Sequence, residues 1–171
     1  RIGDFGCHQG GVLHYLREKY KIGSGIGFDL NKAAIIGSPF PNLDHRFFLK
    51  QQDILKLSPE EYTFDLILFR DSLEHIPSYF EALYSARRCL APGGYIFISF
   101  PPYYSPFGGH QQYSSNWLKL LPYAHYLPPR LFYRLISCED NPYMSAENSL
   151  ADLQGIRLTK LTLGKVEKAM S

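Results

Sequence analysis

The stretch "IGDFGCHQGGVLHYL", from Ile2 to Leu16, places a short apolar run and an acidic residue ahead of a glycine-rich segment and a helix-spaced pattern. It reads as the end of a strand, a tight turn at Gly6, Gly10 and Gly11, and a helix with apolar positions at Val12, Leu13, Leu16 and Tyr20. In open α/β sheets ligands bind beyond the carboxyl ends of the strands, where this loop would lie. The dinucleotide fingerprint G-x-G-x-x-G is absent, because its middle glycine position holds His8.

Working outward, short strand-like runs alternate with helix-like ones. "GIGFDL" reads as a second strand ending at Asp29, and Asn31 is a suitable cap for a helix in "NKAAII". "RFFLKQQD" gives a third strand, and "SPEEY" from Ser58 predicts a short capped helix. "FDLILF", Phe64 to Phe69, is apolar almost throughout, as a central parallel strand covered on both faces should be. Ser78 and Glu81 form a capping box before a helix whose Phe80, Leu83, Ala86 and Leu90 share a face; "LAPGG" predicts a turn, and Tyr95 to Phe100 a fifth strand. This order calls for an α/β fold with a doubly wound, mostly parallel sheet.

The composition changes after Phe100. Residues 101 to 145 hold seven of the chain's thirteen Tyr, seven of its twelve Pro and its only Trp, Trp117, which reads as an inserted aromatic and Pro-rich cap rather than a linker. "NWLKLL", "RLFYRLI" and "AENSLADL" are helix-like, "IRLTKLT" reads as extended and "LGKVEKAM" as a last helix. The expectation is a single domain over 1–171: a ligand-binding core over 1–100, a cap over 101–155, and a C-terminal strand and helix over 156–171.

Length and charge bound the function. A chain of 171 residues, 45% hydrophobic and 20% charged, can bury a real core, and a net charge of +2 with no basic cluster does not favour nucleic acid or anionic membranes as partners. Cys7, Cys89 and Cys138 form no CxxC pair and are odd in number, which argues against a disulfide framework or structural zinc and for a reducing, cytoplasmic setting. No apolar run approaches the roughly 20 residues of a membrane span.

The acids carry more information than the glycines. Asp29, 19 residues after Gly10, would end a strand where its oxygens can accept from both hydroxyls of a ribose, and Asp53 follows the third strand, placed to accept from an exocyclic amine. With these, "GDFGCHQGG", "GFDLN", "QQDIL", "FDLILFRDSLEHI" and "LAPGGYIFISFP" stand in an order and spacing that resemble the class I S-adenosylmethionine-dependent methyltransferases over residues 1 to 100. The resemblance implies a Rossmann-like methyltransferase fold and S-adenosylmethionine as cofactor, with S-adenosylhomocysteine as product. It implies that Gly6, Cys7, His8 and Gly10 wrap the methionine part, with Asp4 near its amino group. It further implies that Asp29 and Leu30 hold the ribose, Asp53 and the Ile54 backbone the adenine, and that Arg70 lines the same pocket. His8 departs from the family's glycine and needs a side chain directed away from the cofactor. The family also ends in two further strands forming an antiparallel hairpin, and the expectation is that this chain stops before completing them.

A sulfonium is already a good methyl donor, so the protein's task is to align an acceptor in a dry site and, where needed, remove its proton. His75 and His110 are the candidate catalytic residues, with a small or medium-sized molecule as acceptor. Glu74 and His75 in "LEHI" also read as a brace for the following helix; the further readings are acceptor contact or, as the resemblance implies for some relatives, a divalent metal coordinated by Asp71, Glu74 and His75, and no metal site is assigned. "FPPYY" is similar to a motif of DNA amino-methyltransferases but follows strand five instead of strand four, and reads as a loop. The alternative function is a noncatalytic scaffold that keeps the fold without the cofactor.

Overall fold

The computed structural model describes residues 1–40, 45–140 and 144–171. The chain divides into two compact units, one of Arg1–Leu73 with Phe80–Phe100, the other of Glu74–Tyr79 with Pro101–Ser171. The end of the expected cap, 141–143, lies outside the described residues.

The first unit is a sheet of five parallel strands, β1 (Ile2–Phe5), β2 (Gly25–Asp29), β3 (Phe47–Gln51), β4 (Phe64–Arg70) and β5 (Leu90–Ser99), in the order β3-β2-β1-β4-β5. The order reverses at β1, so the loop after β1 lies at the switch point where such sheets bind ligands. Helices α1 (Gly11–Lys19), α2 (Lys32–Ile36) and α3 (Tyr79–Arg88) join the strands. Asn31 caps α2, its side chain accepting from the Ala34 N–H at 3.1 Å.

Period-two alternation sorts the side chains of β1. On one face, the Phe5 ring meets Phe28, Phe64 and Phe69 edge-on, with centroids 5.6, 6.0 and 5.4 Å away. All four rings are fully buried, and removing one such ring costs about 3–5 kcal/mol. On the other face Ile2 packs with Leu13 of α1 and Leu68 of β4. Asp4 shares that second face and is equally buried, which no core of this kind requires.

Three local expectations are corrected. "SPEEY" makes one hydrogen-bonded turn, with Glu61 and Tyr62 N–H donating to the Ser58 carbonyl, because Tyr62 is drawn into the core and β4 starts at Phe64. "LAPGG" is absorbed into β5 as an irregularity: Leu90 pairs with Phe64 and Tyr95 with Leu66, and Gly93 takes φ +77° within the bulge. Phe80 of α3 is exposed, and the buried face is Ala82, Leu83, Ser85 and Ala86, with the Ser85 hydroxyl donating to the Ile54 carbonyl at 2.6 Å.

The second unit is helical. Helices α4 (Pro129–Leu135), α5 (Ala146–Thr159) and α6 (Leu163–Met170) are accompanied by short 3-10 helices at Gln111–Tyr113, Trp117–Leu120 and Ala124–Tyr126. Its core is Leu118, Ala124, Phe132, Ile136 and Leu153. "IRLTKLT" is not extended: α5 starts at the Ser145 cap and runs through it to Thr159, burying Ser149, Leu153, Ile156 and Thr159 at helical spacing, and ends where Lys160 turns left-handed at φ +44°. The expected boundary at 155/156 therefore falls inside a helix, and no antiparallel hairpin occurs among the described residues.

Candidate functional site

In the first unit, the loop after β1 and the end of β4 enclose a cavity of about 360 Å³. Asp4, Gly6, Cys7, His8, Gln9, Gly11, Val12, Phe40, Arg70 and Asp71 line it. A cavity of this size suits part of a nucleoside-sized ligand.

Backbone geometry makes the floor. Gly10 caps α1 at φ +81°, and a Cβ there would lie 2.7 Å from Leu49 Cδ2, so only glycine fits both the turn and the space. His8 takes φ +48°, the left-handed conformation in which a glycine is at ease and an imidazole-bearing residue is strained. That conformation aims its N–H at Asp29 Oδ2, 2.7 Å away. Asp29 Oδ1 accepts from the Asn31 N–H at 2.8 Å, so this one carboxylate fastens the β1 loop to the end of β2. A carboxylate oxygen has two lone pairs and can accept a second bond, which leaves capacity for a ligand's hydroxyls.

Asp4 is the most informative group in the cavity. It is 1% exposed, and its Oδ2 has no hydrogen-bond partner in the structure. Burial pushes its carboxyl up to about 7, against the pull of the Arg70 guanidinium and with a further push from the Asp29 charge. Burial likewise pushes the Cys7 thiol up, so Cys7 is a neutral wall and not a nucleophile at neutral pH.

Asp4, Gly6, Cys7, His8 and Arg70 thus line one cavity, whereas Gly10, Asp29, Leu30, Asp53 and Ile54 do not. Asp53 is a cap: its Oδ1 accepts from the Leu55 N–H at 3.0 Å at the start of the 3-10 helix Ile54–Lys56. The Ile54 carbonyl is engaged by Ser85, and Leu30 is exposed. Gln9, Gly11, Val12, Phe40 and Asp71 are lining residues that the motif assignment omitted. Gln9 to Val12 continue the same loop and could have been found by adjacency. Phe40 follows α2 with no motif around it.

The second unit holds a separate polar cluster. Glu74 and His75 sit in a 3-10 helix, Leu73–His75, directly after β4 and Asp71 in the chain. Glu74 is 2% exposed, and its Oε1 lies 3.7 Å from both His75 Nε2 and His110 Nε2. The two imidazoles meet edge to face with centroids 4.9 Å apart. The structure therefore brings the two candidate catalytic histidines together. It adds Asp152 of α5, 77 residues along, whose Oδ1 is 2.8 Å from His75 Nδ1. No sequence spacing signals that contact. Burial, with the nearby Asp152 and Glu74 carboxylates, pushes the Tyr113 phenol well above its ordinary range, so it stays protonated beside them.

No helix among the described residues is long and apolar enough to cross a membrane. No curated protein sequence matches the chain. Solved structures similar in fold include the plantazolicin methyltransferase BpumL in complex with a pentazolic desmethylPZN analog and SAH, with a TM-score of 0.64 at 19% identity over 98% of this chain and 52% of that one. An S-adenosylmethionine-dependent methyltransferase from Mesorhizobium loti gives 0.54 at 23% identity, covering 62% of this chain and 49% of that one. One from Clostridium acetobutylicum ATCC 824 gives 0.53 at 22% identity, covering 67% and 47%. The chain spans about half the length of these three. The five-stranded parallel sheet, its glycine-bearing β1 loop and a methyltransferase-domain family model that matches residues 1–147 converge, and the chain belongs to that methyltransferase family.

Proposed function

We propose that the chain carries out S-adenosylmethionine-dependent methyl transfer to a small or medium-sized acceptor. The observation that carries the reading is Asp4: a buried carboxylate with one oxygen free, at the switch point of the sheet, in a cavity floored by glycine backbone. A carboxylate in that state suits a cationic group, and the cofactor's amino-acid end offers an ammonium. When bound, the cofactor supplies an activated methyl group.

The chain's own residues do the rest. Asp4 holds the ammonium and the Gly6–Gly10 backbone admits the ligand closely. Asp29, already bonded to His8 and Asn31, offers its remaining lone pairs to the ribose. Asp53, whose Oδ1 caps the helix and whose Oδ2 lies 3.8 Å from Lys56 Nζ, turns Oδ2 to the base, and Ile54 has only its N–H to offer there. Arg70 tempers the negative charge of Asp4. In this reading residues 101–155 form the acceptor side, and His75 and His110 hold the acceptor atom and make its proton easy to lose.

Calorimetric titration of S-adenosylhomocysteine into the wild type and Asp29→Ala tests this. Micromolar binding, about 8 kcal/mol, lost in the variant supports the reading. Absence of binding by the wild type refutes it and leaves a noncatalytic scaffold.

A further inference from the structure

We propose that Glu74, His75 and His110 form a binding site for a divalent transition-metal ion of the zinc or manganese type. Three features carry the inference. One donor atom from each of the three residues lies within 4.8 Å of the other two. Both Nε2 atoms face the same carboxylate oxygen at 3.7 Å, longer than the roughly 2.7–2.9 Å of a direct imidazolium–carboxylate bond. Ligand atoms around a tetrahedral ion with bonds of about 2.0–2.1 Å stand roughly 3.3 Å apart. The two 3.7 Å separations close to that by a few tenths of an ångström and the widest pair, up to 4.8 Å, by up to roughly 1.5 Å, so side-chain adjustment alone would draw the set onto an ion.

The second feature is the orientation of His75. Its Nδ1 lies 2.8 Å from Asp152 Oδ1, an acceptor that takes the Nδ1–H, so Nε2 is the nitrogen turned toward Glu74. A carboxylate behind the far nitrogen of a ligating histidine is the usual outer partner of such sites. Two carboxylates, Glu74 and Asp152, and two imidazoles are thereby gathered in one largely buried cluster, a donor set of the kind that holds a divalent ion.

The third feature is the backbone that delivers His110. It adopts φ +53°, a strained conformation for a residue with a side chain. The preceding Gly109 leaves no choice of path, because a Cβ there would fall 2.1 Å from His125 Cβ. The loop is thus built to present this imidazole at one place, while Glu74 and His75 arrive from the other segment of the same unit.

Two imidazoles and a carboxylate leave coordination positions open. In the proposed reaction, on which this further role rests, an acceptor hydroxyl takes one of them and releases its proton to solvent on binding the ion. His75 and His110 then act on the acceptor as ligands.

The test is titration of zinc and of cobalt(II) into the tag-free full chain after dialysis against chelator, without cofactor, with heat and the visible cobalt spectrum as readouts. The expected result is one ion per chain, a cobalt spectrum of low coordination number with nitrogen ligands, and loss of both in His110→Ala and Glu74→Gln. Asp152→Asn, which touches no ion, should weaken binding roughly 10–100-fold while keeping the spectrum's form. Circular dichroism confirms that each variant is folded. No binding by the folded wild type, or binding unchanged in His110→Ala and Glu74→Gln, overturns the site. Because the metal titration needs no cofactor and the S-adenosylhomocysteine titration needs no metal, either proposal can fail without the other.

Discussion

Replacing Asp4 by asparagine tests the central electrostatic claim. Asp4 holds its proton up to about pH 7 in the fold, against an ordinary value of 3.8, because burial disfavours its charge. The gap is about three pH units at about 1.36 kcal/mol each, so ionised Asp4 costs the empty protein about 4 kcal/mol. Between these values the folded state binds a proton that the unfolded chain has released. Stability therefore falls as pH rises from about 4 to about 7, and the full cost is present above that. Asp4→Asn cannot ionise and removes this slope. At pH 8 the variant should be more stable than the wild type by up to about 4 kcal/mol, less about 1–2 kcal/mol if the new amide lacks partners. Near pH 4 the two should unfold alike. Urea unfolding at pH 4, 5, 6, 7 and 8 reads this directly. A ligand ammonium should offset the same cost, so S-adenosylhomocysteine should bind the wild type more tightly as pH rises through 7 and bind Asp4→Asn weakly at every pH. Parallel stability curves for the two proteins would refute the assignment of a strained, ligand-ready carboxylate.

Other substitutions probe the frame. Gly10→Ala combines a left-handed φ with a Cβ 2.7 Å from Leu49, and should lose about 1–3 kcal/mol in urea unfolding together with cofactor affinity. Ser72→Ala removes a buried hydroxyl that donates to the Phe5 carbonyl at 2.7 Å, and should cost about 1–2 kcal/mol of stability. His125 Nε2–H donates to the Tyr103 carbonyl at 2.7 Å while its buried Nδ1 has no partner, and burial lowers its proton affinity. Protonation therefore disfavours the fold: stability should drop as pH falls below the usual histidine range near 6.5. His125→Gln should flatten that part of the curve, followed by the fluorescence of Trp117.

The sheet was legible because its signals are local. "FDLILF" is too continuously apolar for anything but a covered strand, and the Gly6–Gly11 loop can only join a strand end to a helix start. The grouping of Asp4, Gly6, Cys7, His8 and Arg70, which line one cavity, was legible only through the family resemblance of their motifs. Asp53 was legible in position only, since its cap to Leu55 depends on a 3-10 turn that "DILK" does not announce. The errors arose where tertiary packing overrode local pattern. Tyr62 entering the core shortened "SPEEY" to a turn, and the buried stripe Ser149, Leu153, Ile156 and Thr159 held "IRLTKLT" in a helix despite its β-branched residues. His75 and His110 could be suspected one at a time, but nothing in the sequence ties Asp152 to either, because only the fold brings residues 77 positions apart into contact.

The hexapeptide Glu74–Tyr79 belongs to the second unit although both its neighbours in the chain belong to the first. Neither unit can therefore be released by a single peptide cleavage. A fragment ending at Phe100 would keep all five strands yet strand this hexapeptide without Asp152, His110 or Lys165 to pack against. Attempts to isolate a minimal core should excise or re-close that segment, and limited proteolysis that cuts within it should loosen both halves at once.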